Sequence, residues 1–326
     1  MPQPPDKLSL RLIAAADDDG RRLDRILRKA LPDLPLSHLH HLLRKGRVMV
    51  DGVPGEAAGR VRAGAVIQAP LAGTEKCRAP FPLTGFSPEV PQKRRLETRR
   101  SAPFSILWEG AGLLVLNKPA GLTVHGPESL ETQVQAYLAP KLPPSLSFKP
   151  GPLHRLDKPT GGIIVFSTNL AGAQSFSALL RSRRIRKTYL ALLDGVLDRD
   201  ETWEDTLVRD REQGKSFTAD AGDDDAKEAR TRVYPLARTR EFTLARLEID
   251  TGRTHQIRAQ AAAHSRPLAG DRKYGGRPQQ GGFLLHAWTL ELPELALPEL
   301  PRRLEAPLPD NFRRRIRELF GELDLV

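Results

Sequence analysis

The spacing of apolar residues changes along the chain from a helical period to a strand-like one. Residues 21–31, RRLDRILRKAL, carry leucine and isoleucine at three- and four-residue intervals, which predicts an amphipathic helix. A second helix is predicted over residues 38–46, HLHHLLRKG, with Ser37 as its N-cap. The Asp51-Gly52 pair that follows is typical of a tight hairpin between short strands. We therefore expect a small α/β module here, with two basic helices.

Apolar runs of strand length outnumber helical patterns from about residue 102 onward. They include LLVLNK, GGIIVFS, TYLALL, FTLARLEI and LLHAWTLEL, and most are separated by hairpin-like turns. Strands that follow one another through hairpin-like turns predict an α+β domain on a mostly antiparallel, mixed sheet. The predicted organisation is a tail over 1–20, the small module over 21–70, a basic proline-containing linker over 71–101 and the large domain over 102–326.

Charge is distributed unevenly over the 326 residues. The net charge is +11, and residues 1–200 alone carry 30 Lys and Arg against 18 Asp and Glu. A long basic surface attracts polyanions because it releases their condensed counterions, which favours a nucleic-acid partner. A basic protein without such a partner, or one that touches anionic lipid, are the alternatives that charge alone leaves open.

Several classes of protein are disfavoured by what the sequence lacks. One cysteine, Cys77, cannot form an internal disulfide framework or a multi-cysteine zinc site. No run of about 18 apolar residues and no N-terminal signal pattern is present, so we expect a cytoplasmic protein without a membrane span. The sequence also lacks a zinc-protease helix motif, a nucleophile elbow and a nucleotide-binding glycine loop, so neither a metal nor a cofactor is expected.

A dense polar cluster precedes the apolar run that starts at residue 161. In HRLDKPTGG, Asp157 stands between Arg155 and Lys158, at the entrance to a predicted buried strand. One interpretation is an ion pair that fixes the start of the strand. The other is a reactive carboxylate in a cleft, because the two glycines permit close approach of a ligand or of backbone. A second cluster, TGRTHQIRAQ over residues 251–260, opens a predicted helix.

The small module resembles a known family of RNA-binding domains. The stretch RRLDRILRKALPDLPLSHLHHLLRKGRVMVDG, followed by RVRAGAVI, is similar to the α-L module that a small-subunit ribosomal protein shares with several RNA-modifying enzymes. The resemblance implies that the helical pair binds the RNA backbone. The basic residues that would do so are Arg22, Arg25, Lys29, Arg44 and Lys45.

The large domain resembles the RluA-type pseudouridine synthases. HRLDKPTGGIIVFS is similar to their signature, and LLVLNKPAGLTVHG, RKTYLALLDG, TGRTHQIR, PLAGDRKYGG and LLHAWTLEL occur in the family's order. The resemblance covers about residues 102–295 and implies the pseudouridine synthase fold. It also implies an isomerase that detaches uracil from ribose within RNA, turns it and rejoins it through ring carbon five, with no cofactor.

The family's catalytic residues match three positions of this chain. The catalytic aspartate matches Asp157, which either attacks the anomeric carbon or removes a proton from the neighbouring ribose carbon. The family's tyrosine matches Tyr189, which would pack on the uracil and could accept the proton from ring carbon five. Its basic partner for the aspartate matches Arg258.

Further positions match the family's contacts with RNA. Arg155 matches the residue that fills the space left when the nucleotide is extruded from a helix. The other expected substrate contacts are His154, Leu156, Thr160, Arg253, His255, Gln256 and Leu285. Two residues depart from the family pattern: Gly161 replaces a usual serine, and Gln260 replaces a common histidine.

The resemblance favours large-subunit ribosomal RNA as the substrate, with transfer RNA second, and we expect a monomer. The competing interpretation is a non-catalytic RNA-binding or ribosome-assembly factor on the same fold. That interpretation would be favoured if Asp157, Tyr189 or Arg258 were absent, and all three are present. A DNA-binding or lipid-surface protein would leave the ordered motifs unexplained.

Overall fold

The computed structural model describes residues 9–70, 104–143, 145–219, 225–294, 297 and 299–324. They form two compact units. The first unit joins the N-terminal part of the chain to residues 137–150 and 169–171, and the second contains the remaining residues from 102 onward. Within the described ranges, no helix combines the length and apolar character that crossing a bilayer requires.

The first unit is a small α/β module. Its elements are β1 (Ser9–Ile13), β2 (Arg21–Arg22), α1 (Leu23–Ala30), α2 (Leu36–Arg44), β3 (Met49–Val50), β4 (Val53–Pro54), β5 (Arg60–Val61) and β6 (Val66–Pro70). Strands are ordered β1-β6-β3-β4, and β2 pairs separately with β5. The helices bury the predicted apolar face, which includes Leu23, Ile26, Leu27, Leu39, Leu42 and Leu43.

Two local predictions for this unit have different outcomes. The turn between β3 and β4 is confirmed, since Asp51 and Gly52 have φ of 50° and 82°, the left-handed values that a tight hairpin requires. Ser37 is not the N-cap of α2: the helix begins at Leu36, and Pro35 takes the cap position with φ −55° and ψ 138°. Proline has no backbone N–H to place in the helix, so it is well tolerated at such a start.

The unit extends beyond the predicted boundaries. Residues 9–13, predicted as part of a tail, form β1 and pair antiparallel with β6, because Leu10 packs in the core of the unit. Residues 137–150 were expected in the large domain. Instead, the fully buried carboxylate of Asp18 accepts hydrogen bonds from the main-chain N–H of Leu146 and Ser147, at 3.0 and 2.9 Å. The predicted linker over 71–101 lies outside the described residues.

The second unit confirms the predicted α+β class. Its strands are β7 (Ser105–Gly110), β8 (Leu113–Lys118), β9 (Gly151–Pro152), β10 (Gly161–Ser167), β11 (Arg186–Asp194), β12 (Glu201–Asp210), β13 (Lys215–Thr218), β14 (Lys227–Arg238), β15 (Phe242–Ile249), β16 (Leu285–Glu291) and β17 (Arg303–Glu305). Its helices are α3 (Leu130–Leu138), α4 (Leu170–Arg181), α5 (Gln256–Ala263) and α6 (Asp310–Phe320). The last two residues of α3 and the first two of α4 fall in the first unit.

One mixed sheet organises this unit, in the order β13-β12-β14-β15-β11-β16-β10-β8-β7. Of the described pairings, only that between β10 and β16 is parallel. All seven residues of β10 are buried, as the continuous apolar run predicts. Gly162 adopts a φ of 105°, and a Cβ there would lie 2.1 Å from the carbonyl oxygen of Ala287. Glycine therefore allows β16 to approach β10 closely.

Candidate active site

Asp157 lies in a tight turn that leads from β9 into β10. The turn is closed by a hydrogen bond from the Thr160 N–H to the Asp157 carbonyl, at 3.0 Å. The carbonyl of Lys158, within the same turn, accepts from the Gly121 N–H at 2.8 Å and from Lys118 Nζ at 3.1 Å. Lys118 is the last residue of β8, and Gly121 lies in the loop that follows it. The backbone next to Asp157 is thus fixed by a neighbouring strand and its loop.

Lys118 is a buried cation beneath this turn and is only 1% exposed. Its Nζ also donates to the carbonyls of Pro119 and Leu122, at 2.9 and 2.8 Å, so that three acceptors satisfy its three donor positions. Burial lowers the pKa of Lys118 to about 8, while the charge of Asp157 acts in the opposite direction. Lys118 therefore supports the turn rather than facing an open ligand site.

Arg258 on α5 provides the charged partner of Asp157. Its Nη1 lies 3.3 Å from Asp157 Oδ2, and its Nε and Nη2 bind both carboxylate oxygens of Asp271, at 2.6 and 2.9 Å. The rings of Tyr274 and Phe283 lie against the guanidinium, at 4.8 and 4.7 Å from their centroids. A bidentate carboxylate and two rings hold the planar group in one orientation, which aims Nη1 at Asp157.

His255 approaches the same carboxylate from the start of α5. Its Nε2 lies 3.7 Å from Asp157 Oδ2, and its backbone has the left-handed values φ 55° and ψ 22°. Such a conformation costs energy in a residue with a Cβ and persists where surrounding contacts hold it. Gln256 contributes one such contact, because its Oε1 accepts from the Arg253 N–H at 3.0 Å.

Tyr189 lies on β11, next to an irregularity in the pairing with β16. Its side chain is buried, and burial raises the pKa of the phenol, as does the neighbouring charge of Asp157. The phenol is therefore protonated at neutral pH. It offers an aromatic face and a neutral hydroxyl to the site.

These side chains border one open cleft. Of the eleven site residues predicted in the large domain, ten line it: Asp157, Tyr189, Arg258, Arg155, Leu156, Thr160, Arg253, His255, Gln256 and Leu285. A carboxylate, a guanidinium and a buried phenol thus converge on one space. That set can supply a nucleophile or base, a charge that stabilises the ionised carboxylate and an aromatic surface for a flat ring.

His154 is the predicted contact that the structure does not bring into this cleft. Its Nε2 accepts a hydrogen bond from the Val165 N–H at 3.1 Å, and its ring stacks on Phe176. Burial lowers the pKa of His154 to about 4, so the ring is neutral and can accept that bond. His154 therefore supports β10, and the structure does not place it for the direct substrate contact that was expected.

Two glutamines also serve the framework. Gln256 lines the cleft, but its amide binds Thr251 Oγ1 at 2.7 Å and the Arg230 carbonyl at 3.0 Å. Gln260 is fully buried and donates to Asp205 Oδ2 at 2.7 Å and to the carbonyl of Trp203 at 3.1 Å. Gln260 consequently ties α5 to β12, and the departure from histidine at this position does not alter the lining of the cleft.

Two residues of the site had no role assigned from sequence, Asp271 and Tyr274. Both lie in PLAGDRKYGG, a stretch whose resemblance to the family predicts no role for either residue singly. Asp271 is 2% exposed and Tyr274 6% exposed, and both contact Arg258 of α5. The available signal was a carboxylate that directly follows a glycine and precedes two basic residues. Its partner could not be inferred without the fold.

The basic residues predicted in the first unit divide into two groups. Arg22 is bound to Asp24 through a 2.7 Å ion pair. The other four, Arg25, Lys29, Arg44 and Lys45, are exposed on or just after the two helices. Exposed cations of this kind can contact phosphates. Among the described residues, no cluster of three or more potential metal ligands is found.

Gly161 lies beside an unsatisfied buried atom. His286 Nε2 bonds the Ala306 carbonyl at 3.2 Å, and its buried Nδ1 has no hydrogen-bond partner among the described residues. A Cβ on Gly161 would lie 3.2 Å from that Nδ1. A serine, the usual residue here in the family that the chain resembles, could direct its hydroxyl at this nitrogen.

We expect Gly161→Ser to be more stable than Gly161→Ala by about 1 kcal/mol, since the two add the same Cβ but only serine offers a donor to the buried acceptor. Thermal unfolding of the two variants measures the difference. Both carry any cost of crowding against the Lys118 carbonyl, 3.3 Å from the added Cβ, so that this cost cancels. An alanine variant as stable as the serine variant would contradict the assignment of the missing partner.

A family model, two bacterial proteins and a solved human structure point to one family. The family model described as RNA pseudouridylate synthase matches residues 112–263. A ribosomal large subunit pseudouridine synthase D of Xylella fastidiosa is 31% identical over 313 residues, which cover 90% of this chain and 87% of that protein. The same-named protein of Haemophilus ducreyi is 30% identical and covers 96% and 95% of the two chains.

A solved structure agrees with the sequence matches. Human RNA pseudouridylate synthase domain containing 4 is 27% identical, with a TM-score of 0.55. The similarity covers 66% of this chain and 92% of the human one. Over the part of the chain that the similarity covers, the fold is therefore of the same kind as in that human protein.

Proposed function

Since the chain belongs to the RNA pseudouridine synthase family, we propose that it isomerises uridines of large-subunit ribosomal RNA, with Asp157 as the group that acts at the ribose. The observation that carries the proposal is the position of the Asp157 carboxylate, which lies in the cleft 3.3 Å from Arg258 Nη1 and shares that cleft with Tyr189. The names of the two bacterial relatives support the choice of large-subunit RNA.

The reaction breaks the bond between uracil N1 and the anomeric carbon and forms one between C5 and the same carbon. The proton of C5 is released and N1 gains one, so no external reagent is consumed. Asp157 either attacks the anomeric carbon and is later displaced, or removes the neighbouring ribose proton and returns it. In both routes the carboxylate must be ionised, and Arg258 stabilises that form.

Tyr189 packs against the uracil in this proposal. Because its phenol is protonated at neutral pH, it is a weak acceptor for the C5 proton. The restored carboxylate of Asp157 is the better base after the new carbon–carbon bond has formed. Tyr189 thus provides the surface on which the detached base turns, and Leu285 lines the same cleft.

RNA binding outside the cleft is assigned to the first unit. The exposed side chains of Arg25, Lys29, Arg44 and Lys45 would contact phosphates, which position an RNA without reading its sequence. We further propose that the protein acts as a monomer in the cytoplasm. Transfer RNA is the second candidate substrate, and a non-catalytic RNA-binding factor would not require the Asp157–Arg258 arrangement.

The proposal is tested by mapping pseudouridines in total RNA from cells in which the gene is deleted and then restored. We expect one or more sites in large-subunit ribosomal RNA to lose the modification on deletion and to regain it with the wild-type gene. If pseudouridine is lost only from transfer RNA, the substrate is transfer RNA and not ribosomal RNA. Unchanged modification at every site, with the protein expressed, would contradict the proposed activity.

We expect Arg155→Ala to reduce activity on a folded RNA at least about tenfold more than on an unstructured oligonucleotide. Arg155 is exposed at the cleft, and its planar group can occupy the space that an extruded nucleotide leaves. An unstructured RNA has no stack to fill. Initial rates on both substrates measure the ratio.

Arg253→Ala is the matched control for Arg155. Arg253 is also an exposed arginine of the cleft, and its Nε is bound to the Glu228 carbonyl at 3.0 Å. Its loss should lower activity on both RNAs by a similar factor, as expected for a phosphate contact. If Arg155→Ala showed the same pattern as this control, the assignment of Arg155 to base extrusion would be wrong.

A further inference from the structure

A chain of two hydrogen bonds leads from a main-chain amide to His255, whose other ring nitrogen faces the catalytic carboxylate. The Ser216 N–H donates to Tyr274 Oη at 2.9 Å, and the same oxygen lies 2.9 Å from His255 Nδ1. Since Oη already accepts from Ser216, its own proton is available for Nδ1. When Oη donates that proton, Nδ1 is the acceptor nitrogen of a neutral imidazole, and the ring proton resides on Nε2, which faces Asp157 Oδ2 at 3.7 Å.

We propose that Tyr274 is a positioning residue that holds His255 as the neutral, Nε2-protonated tautomer beside Asp157. His255 then presents a neutral N–H to the carboxylate, and Arg258 remains the cation in contact with it. This inference rests on the proposed function, because it takes Asp157 as the reacting group. It assigns Tyr274 no contact with the substrate.

The surroundings of His255 favour its neutral form. Burial lowers the pKa of His255, whereas Asp157 raises it. The cations that face the ring and lower this pKa are Arg258, Lys273 and Arg209. Lys215 lies 4.8 Å from the centroid of the Tyr274 ring. Burial also raises the pKa of Tyr274, which keeps the phenol protonated and able to donate.

The geometry explains why a neutral imidazole matters. A protonated His255 would place a second full cation 3.7 Å from the Asp157 carboxylate. Two cations would stabilise the ionised form further and make the carboxylate a weaker nucleophile and a weaker base. His255 cannot turn away freely, because its left-handed backbone begins α5 and its ring meets Tyr274 edge-on at 5.7 Å.

The test is Tyr274→Phe, which keeps the ring that packs on Arg258 and removes only the hydroxyl. We expect kcat/KM to fall about tenfold at pH 7. We also expect the acidic limb of its pH profile to move upward by about one pH unit, since His255 would then protonate more readily. If the hydroxyl served only the structure, for example as the acceptor for the Ser216 N–H, its loss would lower kcat/KM at every pH without shifting the acidic limb.

A second readout does not depend on activity. Nitrogen-15 NMR of the full-length protein labelled at histidine reports which ring nitrogen carries the proton, and His255→Asn identifies the signal of His255. Asparagine tolerates left-handed backbone and does not titrate near neutral pH. In the wild type we expect a neutral ring protonated at Nε2, and in Tyr274→Phe a raised pKa or a mixture of tautomers.

The double variant Tyr274→Phe/His255→Asn completes the test. If Tyr274 acts through His255, Tyr274→Phe causes no further pH shift in the asparagine background. A wild-type His255 that is protonated at Nδ1 or cationic at pH 7 would overturn the inference, as would an unshifted pH profile in Tyr274→Phe. Failure of the proposed function is distinguishable, because the wild type would then form no pseudouridine, or Asp157→Asn would stay active, whatever the tautomer of His255.

Discussion

Replacing Asp157 with asparagine is expected to reduce pseudouridine formation by about 10⁴-fold or more, which is the scale of removing a group that attacks or deprotonates the substrate. The amide has nearly the same shape, but it carries no negative charge and is neither an effective nucleophile nor a base. Release of tritium from RNA labelled at C5 of uridine measures the reaction, because the C5 proton leaves in the isomerisation.

Folding and RNA binding should survive the same substitution. Arg258 keeps its two bonds to Asp271, and the turn is held through backbone contacts of Lys158 that do not involve the carboxylate. We expect RNA affinity within about threefold of wild type, a difference of under 1 kcal/mol. Asp157→Ala should be equally inactive and cannot regain a carboxylate by deamidation. Activity above a tenth of wild type in either variant would move the chemistry to another residue.

Replacing Arg258 with glutamine should affect both stability and activity. The loss leaves the buried Asp271 carboxylate without its bidentate partner, and breaking such a pair costs about 3–5 kcal/mol. It also removes the cation from Asp157, for which we expect a fall in kcat of about 10²-fold or more. Denaturant unfolding and the tritium assay measure the two effects separately.

The double variant Arg258→Gln/Asp271→Asn separates the two roles of the arginine. An amide pair can hydrogen-bond where the carboxylate was left unpaired, so most of the lost stability should return. Activity should stay low, since Asp157 still lacks its cation. Recovery of activity together with stability would show that Arg258 supports the site only by keeping it folded.

Features encoded by neighbouring residues were accessible from the sequence. The apolar spacing of α1, the Asp51-Gly52 turn and the continuous run of β10 each depend on local conformational preference and burial pattern. The α+β class followed from the succession of such elements. The resemblance to a family added the identity of the site residues, and ten of the eleven in the large domain line one cleft.

Partnerships between distant residues required the fold. Asp157 and Arg258 are 101 positions apart, and nothing in either local segment specifies that they meet. The same is true of Tyr274 with His255 and of Gly161 with His286. Contacts of this kind depend on how strands and loops pack, which is a property of the whole sheet.

The tertiary structure also decided which polar residues face the cleft. His154 stands three residues before Asp157, yet its ring accepts a hydrogen bond from the main-chain N–H of Val165 in β10 and does not line the cleft. Gln256 lines the cleft, but its side-chain amide is hydrogen-bonded to Thr251 and to the Arg230 carbonyl. The sequence identifies such residues as candidates for the site. A buried polar group must form hydrogen bonds with the donors and acceptors that packing brings within about 3 Å of it. Those partners decide whether such a residue supports the fold or faces the substrate.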